Sequence, residues 1–463
     1  MVALSFYIIS FLCGPSLASC REAERYAVEV IQFDCHQTIE QEVMMLIHSA
    51  SQVVSPVGGP QRGRDLGKLR IVENGAILVR SEQIIEVGKS ADLLGKYPAE
   101  DRWDAAGKVL LPGFVDPHTH AVWAGDRALE FESRLAGKSY LEILEAGGGI
   151  LSTVRETRQA SLQDLKDQTR RRIRSMLSYG TTTLEAKSGY GLDEETERKC
   201  LQALLDLDEE EPADIVITYL GAHAVPPEFK GDADGYTDLL CEELLPSLTE
   251  WWPMQTDKPL PFVDVFCERG AFNLEQSRRI LEKARELGFP IKIHADEFEN
   301  LGGAKLAAEL GAASADHLVV TSREDIQALG ASNTVAVALP CTPFGLAEPE
   351  YTPAQEILEA DGILAIASDL NPGTAWCESM QFAAALACRY LKLTPAQALA
   401  AATINAAAAI GLDAKVGSLD PGKDADIIAL DVPDFRHLGY RFGSNLVSEV
   451  IKKGKFVFEE EAR

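Results

Sequence analysis

The chain has 463 residues, 46% hydrophobic and 25% charged, with 44 basic against 71 acidic side chains and a net charge of -27. Such a chain buries a large core, and its length fits a barrel of about 250–400 residues with an accessory domain. The charge argues against nucleic-acid and acidic-membrane partners; it reads first as solubility, although one local arginine still suffices for an anionic substrate. The nine cysteines lack CxxC pairs or regular spacing, as reduced thiols of a cytoplasmic protein do.

The chain opens with an apolar run, Phe6 to Leu12, followed by Leu17-Ala18-Ser19-Cys20, which has the look of a lipoprotein cleavage site. The run is too short to span a membrane, and no Lys or Arg precedes it. Residues 1–43 are therefore expected to be a leader or an upstream extension, and the folded protein to begin near Met45-Leu46-Ile47. From Leu69 short strands follow at 69–72, 76–79 and 83–87, with Asn74-Gly75 as a hairpin turn between the first two. The C-terminal end has the same style at 425–430 and 447–452, with Lys453-Gly454 turning into 455–458. A small β-sandwich built from both ends, residues 44–108 and 414–463, is the expectation.

Residues 109–413 alternate short apolar runs with longer helical patterns, the mark of repeated βα units. Eight candidate strands fall at 109–116, 181–186, 214–220, 262–266, 290–293, 313–315, 333–339 and 363–367, with helices at 162–178, 274–287 and 304–310 among the connections. Eight units close a (β/α)8 TIM-type barrel. The competing open sheet carries a Gly-rich phosphate turn after its first strand; here Gly147-Gly148-Gly149 follows a helical stretch and reads as a hinge or loop.

Five of the eight histidines (His118, His120, His223, His294 and His317) fall at C-terminal strand ends, the face on which barrels build active sites. On an extended segment His118 and His120 project to one side and can meet one cation. With His294 after the fifth strand and Asp369 after the eighth, three imidazoles and a carboxylate close a shell that suits Zn²⁺ or Fe²⁺. Such an ion lowers the pKa of water from about 15.7 toward about 7.

The run Pro112-Gly113-Phe114-Val115-Asp116-Pro117-His118-Thr119-His120, with His294, His317, Asp369 and the segment Leu419 to Asp426, resembles the metal-dependent amidohydrolase superfamily. The segments 118–127, 185–191, 221–226, 294–297 and 368–374 narrow the resemblance to its imidazolonepropionase family, from about Met44 to the C-terminus. The resemblance implies hydrolysis of 4-imidazolone-5-propanoate to N-formimidoyl-L-glutamate, in histidine degradation, by attack of a metal-bound hydroxide on the ring carbonyl. It implies that Asp369 both binds metal and takes the water's proton, that Glu297 holds a ring nitrogen and shuttles a proton, and that His317 orients the water or the oxyanion. Arg127 and Tyr190 are implied for the propionate, with His223, Asn371, Gly373 and Thr374 lining the rest. Two-metal members of the superfamily carry a bridging lysine on the fourth strand; Val265-Phe266-Cys267-Glu268 has none, so one metal per chain is expected, with Lys187 in a salt-bridged, structural role. The stretch 249–261, with Trp251-Trp252, is expected to be a surface excursion. A small-molecule substrate is implied, and a homodimer is compatible with the sequence.

Other readings stay open. A ring deaminase or another cyclic amidohydrolase would share the metal shell; the deaminase would not need Arg127. A non-catalytic scaffold would not need a complete ligand set.

Overall fold

A computed structural model describes residues 44–98, 101–137 and 148–460. Residues 1–43 and Gly147, for which a leader and a hinge were expected, lie outside them. The first part of the chain forms β1 (Met44–Pro56), β2 (Leu69–Arg80), β3 (Gln83–Lys89), β4 (Asp101–Asp104) and β5 (Val109–Pro112). The barrel strands are β6 (Phe114–Asp116), β7 (Thr181–Lys187), β8 (Asp214–Ala222), β9 (Phe262–Cys267), β10 (Lys292–Ala295), β11 (Ser314–His317), β12 (Val335–Ala338) and β13 (Ile363–Ile366). The chain ends with β14 (Ile427–Leu430), β15 (Val447–Lys452) and β16 (Lys455–Glu459).

β6 to β13 lie side by side in sequence order, and the register of each neighbouring pair is parallel. The sheet closes where Thr119, just past β6, bridges Leu370, just past β13. All eight expected strands are present, those at 290–293 and 313–315 displaced toward their histidines. The expected helices at 162–178 and 274–287 appear as Leu162–Ser178 and Leu274–Glu286, entered through capping boxes at Ser161 and Asn273 that satisfy their first free N–H groups.

The chain ends share the other sheet, in the order β16-β15-β14-β5-β1-β2-β3 with β4 beside β1. It encloses its own core, with Ile47, Ile77, Leu110, Ile427 and Ile451 among the buried side chains. Three local expectations change. Asn74-Gly75 is not a turn: β2 runs straight through it, and the hairpin to β3 turns at Ser81-Glu82. Asn74 takes a left-handed φ of 51° within the strand, and a Cβ on Gly75 would sit 2.5 Å from Val53, so the pair accommodates a close crossing over β1. The candidate strand 109–116 divides at Gly113. β5 pairs with β1 and β14 of the end sheet, whereas β6 opens the barrel. The segment 249–261 is only partly a surface excursion, because Trp252 is buried and its Nε1 donates to the carbonyls of Lys258 and Pro259 at 3.2 and 3.0 Å.

Gly113 is where one chain passes between the two sheets, and a Cβ there would lie 2.2 Å from Thr182 Oγ1. Gly113→Ala is expected to lower stability by about 1–3 kcal/mol through overpacking, read as the urea midpoint. Gly59→Ala, with nothing within 4 Å of the new methyl, should leave the midpoint unchanged.

Candidate metal centre

The segment after β6 is extended, so Thr119 faces away from its neighbours and donates its hydroxyl to the Glu185 carbonyl at 2.7 Å. His118 and His120 therefore turn the same way, into the barrel mouth, where His294 from β10 and Asp369 after β13 meet them. All four are buried. His118 Nε2 and His120 Nε2 stand 3.5 and 3.6 Å from Asp369 Oδ1, and His120 Nε2 stands 3.4 Å from His294 Nε2. Ligand atoms in a tetrahedral shell with bonds of about 2.0–2.1 Å are about 3.4 Å apart. Buried His118 Nε2 and Asp369 Oδ1 have no hydrogen-bond partner. Unpaired buried polar atoms at that mutual spacing fit a divalent cation. His317 joins His118 and His294 in a second, overlapping group of the same kind.

Two of the imidazoles face a buried carboxylate on their other side. His118 Nδ1 lies 2.6 Å from Asp316 Oδ2, and His294 Nδ1 lies 3.0 Å from Asp264 Oδ2. Carboxylates there fix the tautomer that leaves Nε2 free to ligate. Burial first, and nearby positive groups after it, keep His118, His120 and His317 neutral well into the acid range. Thr342 donates its hydroxyl to Asp369 Oδ2 at 2.5 Å, which leaves Oδ1 directed at the histidines. Asp296, His317 and Asp369 hold left-handed φ values of 54°, 78° and 53°. Such strain in non-glycine residues gathers at functional sites, where the surroundings impose it.

The remaining expected residues surround this cluster. Glu297 is only slightly exposed, with Oε2 3.7 Å from His317 Nε2; desolvation, then Asp369 and Glu268, push its carboxyl well up. His223 stacks on His120, ring centroids 4.8 Å apart, and its Nδ1 is 3.0 Å from the Gly189 carbonyl. Tyr190 is buried beside both rings. Arg127 pairs with Glu130, Nε to Oε2 at 2.9 Å and Nη2 to Oε1. Its Nη1 lies where a side chain on Gly373 would begin, 2.3 Å from that Cβ position. Gly373 thus makes room for the guanidinium. Asn371 braces its own turn: its amide oxygen accepts from the N–H groups of Gly373 and Thr374, both at 2.8 Å, and its amide nitrogen donates to the Asp369 carbonyl at 2.7 Å. Lys187 points the other way, into the barrel, where it is fully buried against Glu185 and Asp264.

Sequence reasoning passed over Asp264, Asp316, Thr342 and Glu268. Buried Glu268 accepts the N–H groups of Phe298 and Glu299 at 2.9 and 3.2 Å, clamping the loop that carries Glu297. The two aspartates did leave a signal. Each is a lone acid inside an apolar barrel strand, Phe262-Val263-Asp264-Val265-Phe266 and Ser314-Ala315-Asp316-His317, and a charge there needs a partner.

A parallel barrel with imidazoles and a carboxylate gathered at its C-terminal mouth defines the class, a metal-dependent hydrolase. Residues 109–457 match the amidohydrolase family model. The imidazolonepropionase of Herpetosiphon aurantiacus is 50% identical over 89% of this chain and 96% of its own length. That of Chloroflexus aggregans is 46% identical over 90% and 99%. Among solved structures, E. coli guanine deaminase aligns with a TM-score of 0.68 at 15% identity, over 91% of this chain and all of its own. A zinc-bound adenosine deaminase from Xanthomonas campestris aligns with a TM-score of 0.63 at 20% identity, over 89% and 92%. The chain belongs to the amidohydrolases and, within them, to the imidazolonepropionase family.

Thr342→Val keeps the shape of the side chain and removes the hydroxyl that orients Asp369. Divalent-metal affinity, measured by competition with a chelator, is expected to fall about 10–100-fold. Unchanged affinity would show that Asp369 is oriented without Thr342.

Proposed function

We propose that this protein hydrolyses 4-imidazolone-5-propanoate to N-formimidoyl-L-glutamate. The observation that carries the reading is the Arg127 guanidinium beside Gly373, on the same barrel face as the His118, His120, His294 and Asp369 cluster. The likeness to deaminases rests on 15–20% identity and extends to the fold alone.

In this reading His118, His120, His294 and Asp369 hold one divalent cation per chain, Zn²⁺ or Fe²⁺. The cation supplies Lewis acidity to the carbonyl and makes nearby water more acidic. Arg127 and the Tyr190 hydroxyl bind the propionate, the guanidinium by a charge-assisted hydrogen bond. His223 and Thr374 line the ring, while Asn371 shapes the turn that brings Gly373 and Thr374 against it. Water adds to the ring carbonyl carbon as Asp369 takes its proton. His317 stands beside the oxygen that gains charge. Glu297 delivers a proton to the ring nitrogen as the C–N bond breaks, and the proton taken by Asp369 then reloads Glu297, so the hydroxyl ends on carbon, the hydrogen on nitrogen, and both carboxyls return to their starting state.

We also place the working enzyme in the cytoplasm. The six cysteines among the described residues are free, and no helix there is long and apolar enough to cross a membrane. The exposed Trp376 and Phe442, which line one surface groove, suit a homodimer. We divide the chain into an end domain, 44–112 with 414–463, and a barrel domain, 113–413, moving the expected boundary from 108/109 to Gly113 because β5 pairs with the end sheet.

Ring opening is followed by loss of the ring's ultraviolet absorbance, with metal content measured on the same sample. One metal per active chain is expected, and two would overturn the assignment. Arg127→Ala should mainly raise KM, at a cost of about 2–4 kcal/mol, because the contact exists in both ground and transition states. An unchanged KM would leave Arg127 only its Glu130 pairing and favour a neutral-ring deaminase. Glu297→Gln keeps the size and one oxygen but carries no proton. It should retain full metal content and lose kcat about 10²–10⁴-fold. Loss of metal would make Glu297 a ligand instead.

A further inference from the structure

Below the metal site the barrel is filled by charge. Glu185, Lys187, Asp264, Lys292 and Asp316 are all fully buried. Lys187 Nζ lies 2.6 Å from Glu185 Oε1, 2.8 Å from Asp264 Oδ2 and 3.8 Å from Asp316 Oδ2. The two aspartate oxygens that face the lysine are the same two that face the ligand histidines: Asp264 Oδ2 is 3.0 Å from His294 Nδ1, and Asp316 Oδ2 is 2.6 Å from His118 Nδ1. Lys292 differs. Its Nζ donates to the Pro117 carbonyl at 2.7 Å and stays 3.6 and 3.8 Å from Glu185 and Asp316.

We propose that Lys187 is a positioning residue that sets the affinity of the metal centre, its ammonium tying Asp264 and Asp316 together so that each keeps an oxygen on the Nδ1 of a ligand histidine. A buried charge is tolerated only when paired. Without the ammonium, three carboxylates converge on the space it fills. Lys292 stands as near Asp316, at 3.8 Å, and 3.6 Å from Glu185, but it makes no ion pair with Asp264, so Asp264 loses its lysine partner. Like charges at that range repel strongly in a low dielectric. Asp264 and Asp316 then turn apart toward other donors, and His294 and His118 lose the acceptors that aim their Nε2 atoms. Lys187 itself touches neither histidine. Its influence passes through a hydrogen bond to Asp264 at 2.8 Å and a longer ion pair with Asp316 at 3.8 Å, one to each side of the shell, so losing it disturbs both sides at once.

The inference rests on the cation assignment given above for His118 and His294, not on the substrate. It is therefore read without substrate: failure of ring opening would leave it standing, whereas failure of wild-type protein to bind cobalt would overturn both. Metal-free wild type, Lys187→Met and Lys292→Met are titrated with Co²⁺ against a chelator, and the visible absorption of bound Co²⁺ reports ligand geometry. Lys187→Met is expected to weaken Co²⁺ binding about 10–100-fold, the usual effect of losing an outer-shell partner, and to shift the Co²⁺ bands. Lys292→Met should change affinity less than about 3-fold. Wild-type affinity and spectrum in Lys187→Met, with only a lower unfolding midpoint, would reduce Lys187 to a structural role. Equal weakening in both lysine variants would also overturn the proposal, since any buried positive charge would then serve. If Lys187→Met does not fold, the double variant Lys187→Met with Glu185→Gln replaces it. That change removes one negative charge without touching a histidine partner. The double variant should still bind Co²⁺ at least 10-fold more weakly, and wild-type affinity in it would sink the idea.

Discussion

The barrel has one seam, and the site depends on it. Where the first strand meets the eighth, Ser368 gives its N–H and hydroxyl to the Asp116 carboxylate at 3.1 and 2.5 Å. The Asp369 N–H then donates to the His118 carbonyl at 3.1 Å, and the His120 N–H to the Leu370 carbonyl at 2.9 Å. Three of the four expected ligands are thus residues of the closing hydrogen bonds themselves. Closure of the sheet and assembly of the cluster are one event. A barrel that failed to close would present His118 and His120 on one loose end and Asp369 on another. The left-handed φ of Asp369 belongs to the same constraint: the chain leaves β13, pairs back across the seam and still turns a carboxylate inward.

Beneath that seam the interior is polar where barrels are usually packed with branched apolar side chains. Burying so many ions is expensive, and apolar replacements of paired buried charges are often neutral or stabilising. The network therefore has to be explained by what it does for the mouth. Asp264 and Asp316 each hold an imidazole by Nδ1, and Thr119 returns its N–H to Glu185 at 3.2 Å, fixing the residue between His118 and His120. The interior charges act as a scaffold for ligand tautomer and direction.

Much of this was legible from residues alone. The eight apolar runs located the strands, and the histidines at their ends located the mouth, because both signals depend on local chemistry and on alternation along one strand. What was not legible depends on pairs distant in sequence. Nothing near Gly113 says that Val109–Pro112 will pair with β14, more than 300 residues later, so the strand around it read as one. Asn74-Gly75 has the composition of a hairpin turn, yet there the close crossing of β1 prevails over local turn preference. Asp264 and Asp316 were visible as acids in apolar strands, but their partners come from other strands. Trp252 was read as surface because its burial depends on carbonyls that return six and seven residues later.

The distribution of charge bears on the substrate. A chain of net charge -27 does not attract an anion from a distance, and a Debye length of about 8 Å in physiological salt removes most of that far field anyway. Selection of an anionic group must then be local. At Arg127 two of the guanidinium's donors are already directed to Glu130, whose second interaction, with the Gly149 N–H at 2.8 Å, fixes that carboxylate in turn. The arginine is thereby held in one orientation, with Nη1 turned toward Gly373. A preorganised donor loses little entropy when a ligand arrives. Its pairing with Glu130 weakens the positive field but sharpens the direction, and in the proposed function that direction is what would discriminate a tethered carboxylate from a neutral ring.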